Sequence, residues 1–135
     1  MLMRFVKRTI YPFLIFLTIS LIFSCSTSQK MISQHDLIVG KWVLESASFD
    51  GQVIDAELLG GKISFEFTKE GFAIFETSEG QIERGRYQIQ SNKLIDPDNP
   101  EELPADIVSL TKEQFVMSME EEGETVVMTF VPEKR

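Results

Sequence analysis

Cys25 is the only thiol in the chain and His35 the only imidazole, so any side-chain chemistry has to start from them or from oxygen groups. A thiol or hydroxyl acts as a nucleophile when a base stands beside it and a third group orients that base. His35 lies in the polar stretch that follows the cysteine, within Ser33-Gln34-His35-Asp36, and no triad can be assembled around it. Zinc and iron sites draw several ligands from His and Cys, which one of each cannot supply. The densest run of loop oxygens, Asp96-Pro97-Asp98-Asn99-Pro100, lacks the glycine at the sixth place and the glutamate at the twelfth of an EF-hand loop. The 21 acids are spread over turns and outward strand positions, a pattern of solvation that does not favour a carboxylate pair for glycoside chemistry. Arg84 and Arg86 flank Gly85 on the face opposite Tyr87, where they would reach a ligand carboxylate or pair with Glu83 or an acid on a neighbouring strand. The expectation is a protein that is not an enzyme and that uses no cofactor and no metal.

The position of Cys25 gives it a different chemistry. It follows basic Arg4, Lys7 and Arg8 and an apolar stretch from Ile10 to Phe23, the arrangement of a secretory signal peptide. That stretch is short for a membrane span, which needs roughly 20 apolar residues, and Pro12 interrupts its start. Ile22-Phe23-Ser24-Cys25 resembles the bacterial lipobox, in which an aliphatic residue stands three places before a lipidated cysteine. Ile22 and Ser24 fit that pattern, whereas Phe23 occupies a place where a smaller residue is usual. The resemblance implies a diacylglycerol thioether and an acylated amine at Cys25, with chains such as palmitate burying methylenes at about 0.8 kcal/mol each. A cleaved signal with a stray thiol and an uncleaved anchor are the alternatives. Ser26 in place of an aspartate after the cysteine implies the outer membrane. The absence of acids from Ser26-Thr27-Ser28-Gln29-Lys30 favours its periplasmic face. The expected organisation is a leader over residues 1–24, a lipidated cysteine with a flexible polar tether over 25–36, and one folded domain over 37–132.

Composition narrows the partners. The formal net charge of −8 becomes −11 once the leader's three bases are gone, and nucleic acids need clustered Lys and Arg to displace counterions. Nucleic-acid binding is excluded on that ground. The length after the leader suits one domain with a single hydrophobic core, and with one cysteine packing must hold it without an internal disulfide.

From Ile38 onward the apolar residues recur with period two, the mark of strands with one buried face. In Lys62-Ile63-Ser64-Phe65-Glu66-Phe67-Thr68 the aliphatic and aromatic residues alternate with polar ones. Thr68-Lys69-Glu70-Gly71 then supplies a turn, and Phe72 to Glu76 returns as the partner strand. Turns at Ser78-Glu79-Gly80, Ser91-Asn92 and Glu122-Gly123 punctuate Gln81 to Gln90, Lys93 to Ile95, Phe115 to Met119 and Thr125 to Val131. With Lys41 to Ser48, a piece near Val53 and Ala105 to Leu110, the count is about eight, which suits a small closed barrel. The fold class expected is all-β, an up-and-down antiparallel meander barrel. Asp55 to Gly60 reads as one helical turn, and the proline-rich Asp96 to Pro104 as loop.

Gly40-Lys41-Trp42 at the head of the first strand resembles the lipocalin signature, in which the tryptophan plugs the closed end. Gly85-Arg86-Tyr87-Gln88-Ile89, Ser91-Asn92-Lys93-Leu94 and Val108 to Phe115 look like hairpins of small bacterial lipocalin-like lipoproteins of the Bacteroidetes type. The similarity spans most of residues 37–132. It implies a lipocalin-like barrel with Gly40 and Trp42 at its plug and a small apolar or amphipathic ligand at its mouth. Inward Leu44, Ile63, Phe65, Phe67, Ile74, Tyr87, Met117, Met119 and Met128 are the candidate lining, methionine making such walls adaptable. The same residues suit a filled core, and the alternative is a packed barrel serving as a structural or protein-interaction module of the cell envelope. Its surface would include Glu120-Glu121-Glu122-Gly123-Glu124, a hairpin tip that otherwise reads as a solvated turn. Bulky inward residues fill a barrel and small ones empty it, which separates the two readings.

Overall fold

The computed structural model describes residues 32–102 and 104–134 of the chain. The leader, the Cys25 junction and the tether up to Met31 lie outside the described residues. Among those described, no helix is long and apolar enough to cross a membrane.

The domain starts earlier than the sequence pattern suggests. Residues 33–36, read as tether, form the cap and first turn of a short helix, α1 (Gln34–Ile38), whose start is capped by the Ser33 hydroxyl accepting from the Asp36 amide. One turn is too short for an apolar period to show. It brings Ile38 to full burial and leads into β1 (Gly40–Phe49). There follow β2 (Gln52–Asp55), a 3-10 turn over Ala56–Leu59, β3 (Ser64–Phe67), β4 (Phe72–Glu76), β5 (Ile82–Arg86), β6 (Gln88–Gln90), β7 (Lys93–Ile95), β8 (Ala105–Leu110), β9 (Phe115–Glu121) and β10 (Glu124–Pro132). The 3-10 turn is the helical turn read from Asp55 to Gly60.

These strands make one antiparallel sheet in the order β5-β4-β3-β1-β10-β9-β8-β7-β6, with β2 paired to β1 outside that path. Every neighbour on the path is also a neighbour in sequence around a meander, apart from β1, which joins the last strand β10 to β3. The two ends of the path, β5 and β6, are successive pieces of one run interrupted only at Tyr87. The sheet therefore curls into a nearly closed up-and-down barrel. Ten strands stand where about eight were expected: the piece near Val53 is the appended β2, and the single strand expected from Gln81 to Gln90 divides in two.

Two β-bulges keep the core faces consistent. Between Leu44 and Ser46 the β1–β10 register slips, so inward residues run Trp42, Leu44, then Ala47. A second slip between Ile107 and Ser109 leaves the apolar Val108 61% exposed. An extra residue in one strand is what lets a chain curve without turning its apolar side outward.

The core gathers at the end where the chain enters. Trp42, Phe67, Phe115 and Phe130 are buried there with Ile38. Trp42 meets Phe115 edge-on at 5.8 Å between centroids, and Phe67 meets Phe115 at 5.9 Å. The indole Nε1 donates to the Ile38 carbonyl at 2.7 Å, so the ring is satisfied while it covers the barrel floor. Gly40 is required by its backbone conformation and not by close packing. A Cβ there would meet nothing within 4 Å, but its φ of +137° is one that L side chains rarely adopt. Replacing Trp42 by alanine removes both the ring and the tie to α1. The expected cost is about 3 to 5 kcal/mol in unfolding free energy by denaturant titration. A loss under about 1 kcal/mol would refute the role of the ring as the floor.

Candidate functional site

Above the aromatic floor the interior is not completely filled. A cavity of about 210 Å³ opens between the wall strands, bordered by Phe65 and Phe67 of β3, Met117 and Met119 of β9, and Tyr87 and Leu94. Strand alternation explains the space. Ala73 pairs across from both Phe67 and Gly85, and Ala105 lies on the opposite wall. Two alanines and a glycine at inward positions leave a gap where larger side chains would close it.

The opening lies where the wall is incomplete. β5 has its ladder with β4, and β6 has its ladder with β7, so each half of this run has no strand partner on its second side. The loop residues from Asp96 to Glu102 lie across that gap. Asp96 and Glu102 of the loop and Arg86 of β5 form the rim. The Arg86 guanidinium bonds to Asp98 at 3.4 Å, and the Asp98 amide donates to the Asp96 carboxylate at 2.9 Å. Asp96 therefore acts as a turn-former here, and among the described residues no group of three His, Cys, Asp or Glu converges on a common point. Arg84 lies over the Phe72 ring at 4.3 Å on the outer face, a cation–π contact.

Tyr87 joins the floor, the wall and the cavity. Its amide donates to the Gly71 carbonyl at 2.9 Å and its hydroxyl to the Thr68 carbonyl at 2.9 Å. His35 of α1 stacks on it at 6.0 Å, with Nε2 3.5 Å from the hydroxyl. Burial, with a smaller contribution from the Glu70 carboxylate, pushes the Tyr87 phenol above its usual range.

Of the residues read from sequence as lining, Phe65, Phe67, Tyr87, Met117 and Met119 border the cavity. Leu44 is in the packed core, with Ile63 and Met128 against it. Ile74 is a correction. It pairs with Glu66 and Arg84 on the outer face, while Phe75 pairs with Phe65 and faces inward, its ring 4.8 Å from that of Phe65. The run Phe72-Ala73-Ile74-Phe75 is apolar at both parities, so period alone cannot say which side faces in. Small residues at the parity of Phe75 were the available signal. A larger concavity of about 610 Å³ lies beside Trp42 at the floor, outside the apolar interior; five of its eleven bordering residues are charged, which suits solvent better than an apolar ligand.

A family model described as a lipocalin-like domain matches residues 38–117, from the end of α1 through Met117 on the cavity wall. The chain belongs to the lipocalin-like domain family. The match takes in the Gly40-Lys41-Trp42 entrance, the bend at Tyr87 and most of the residues bordering the cavity. No curated protein and no solved structure matches the chain. In a lipocalin-like domain built this way the phenol at the bend stays protonated beyond the pH where a free tyrosine ionises. Because its pKa is raised in the fold, its contribution to stability is fully present below about pH 10 and is lost as pH rises through the folded value. With Tyr11→Phe to leave one tyrosine, ultraviolet titration is expected to show Tyr87 ionising above free tyrosine and together with unfolding. Titration at the free-tyrosine value in a folded protein would contradict this.

Proposed function

We propose that this lipocalin-like domain binds a small apolar or amphipathic molecule through the wall gap, and that the chain holds it at the cell envelope through a lipidated Cys25. The cavity among Phe65, Phe67, Met117 and Met119 is the observation that carries the reading. Its volume of about 210 Å³ falls below the roughly 300 to 1,000 Å³ of sites that enclose a drug-sized molecule. The ligand would insert a narrow apolar end, such as part of an acyl chain, and leave its polar end at the rim. Methionines on one wall can adjust to that end. The role is binding and not catalysis. The lipobox resemblance supports anchoring in the outer membrane, on its periplasmic face.

A second reading has its own support. The floor of the barrel is filled by Phe67, Phe115, Phe130 and Met117, all essentially without exposure, as a packed module that contacts another envelope protein would be. The two separate experimentally. Met119→Trp is expected to fill the cavity and abolish binding of an environment-sensitive fluorescent fatty-acid analogue, with thermal unfolding confirming that the variant folds. Unchanged affinity in a folded variant would move the site away from the cavity, and no binding by the unaltered protein would favour the packed module. For the anchor, Cys25→Ser is expected to shift the protein from the membrane to the soluble fraction on cell fractionation. Retention in the membrane would contradict lipid anchoring.

A further inference from the structure

We infer that the cavity selects amphiphiles with a cationic head group over those with a carboxylate. The inference rests on reading the cavity as a ligand site and adds the chemistry of the ligand's polar end. The rim through which that end would project carries Asp96 and Glu102. Its one cation, Arg86, is already paired with Asp98 at 3.4 Å. Gly85 of β5 stands beside the rim, where an added Cβ would lie 4.0 Å from the Asp96 carboxylate. Asp96 itself borders the cavity.

The charge at the opening is therefore acidic even after Arg86 and Asp98 are counted as a pair. A carboxylate head leaving the apolar cavity would meet like charges across a few ångströms, and an ammonium would meet opposite ones. Such interactions at a partly enclosed rim are stronger than in bulk water and weaken with added salt. The apolar lining gives affinity without preference among heads, so discrimination falls to the rim. Arg86 would favour an anionic ligand only by giving up Asp98.

Isothermal titration of the purified full chain at low ionic strength tests this, with dodecylamine and dodecanoate below their micellar concentrations and dodecanol below its solubility limit. The amine is expected to bind about tenfold tighter than the alcohol, equivalent to about 1.4 kcal/mol, and the carboxylate more weakly than either. In the double variant Asp96→Asn and Glu102→Gln the amine preference should fall to within about twofold, with dodecanol affinity unchanged. Asparagine keeps the acceptor that holds the Asp98 amide. A control with Glu66→Gln, which borders the concavity beside Trp42 at the floor, and Glu113→Gln, two residues before Phe115, separates rim charge from the overall negative charge and should leave the preference intact. Tightest binding by dodecanoate, or an amine preference that survives the rim variant, would overturn the inference while leaving the cavity reading standing. Binding of none of the probes would overturn both.

Discussion

A strand can hydrogen-bond to two neighbours that diverge only by dividing its length between them, and the run from Ile82 to Gln90 divides at Tyr87. Before that residue the ladder goes to β4, and after it to β7. The alternation does not break, because Glu83, Gly85, Tyr87 and Ile89 all keep one parity, with Tyr87 in the core and Ile89 packed against it. Two hydrogen bonds fix the bend, from the Tyr87 amide to Gly71 and from its hydroxyl to Thr68. Each such bond contributes a net ~0.5 to 1.5 kcal/mol. Their larger effect is geometric, since they tie the switch point to the β3–β4 turn and thereby set where the barrel closes. Gly71 at φ +94° allows that turn to present its carbonyl to the bend.

The closed end and the open end follow from this one choice. At the closed end the aromatic floor packs against α1, whose Ile38 is part of the core and whose Gln34 bonds to Asn92 at 2.6 Å. Above it the wall lacks a partner on one side, and a loop covers the gap. Outside the wall, Lys41 and Lys62 gather around Glu76 and Glu133. Lys62 is raised and Glu133 lowered in pKa, each chiefly by their shared hydrogen bond. Both are exposed charges, and such pairs contribute little in water. They fasten the chain's last residues to β1 and β3 without deciding the fold.

Much of the wall was legible because period two is strong in short half-buried strands. Phe72–Glu76, Lys93–Ile95 and Ala105–Leu110 have the bounds the pattern implies. The turn at Glu122-Gly123, with φ of +51° and +83°, is placed by the glycine. The switch at Tyr87 was not legible, since a change of hydrogen-bonding partner leaves side-chain alternation untouched. Bulges are equally silent, as Val108 shows by being apolar and exposed within a strand. The cavity was half legible. Its large residues, Phe65, Phe67, Met117 and Met119, stood out, but what makes a cavity is the small ones. Ala73, Gly85 and Ala105 acquire that meaning only when three separate strands are known to face one another.

An apolar cavity in so small a core is a physical commitment. Sealed and empty space costs about 24 cal/mol per Å³, so about 210 Å³ would remove on the order of 5 kcal/mol if closed. That approaches the whole net stability of many domains. Filling the space would have needed only larger residues at Ala73, Gly85 and Ala105. Leaving it open through the wall gap lowers the cost by letting solvent in, at the expense of wetting apolar side chains. A molecule that displaces that water with its own apolar end recovers the lost contacts, and it stabilises the fold in proportion to its occupancy. The incomplete wall and the small inward residues thus belong to one arrangement, in which the bend at Tyr87 leaves the opening and the alanines leave the room behind it.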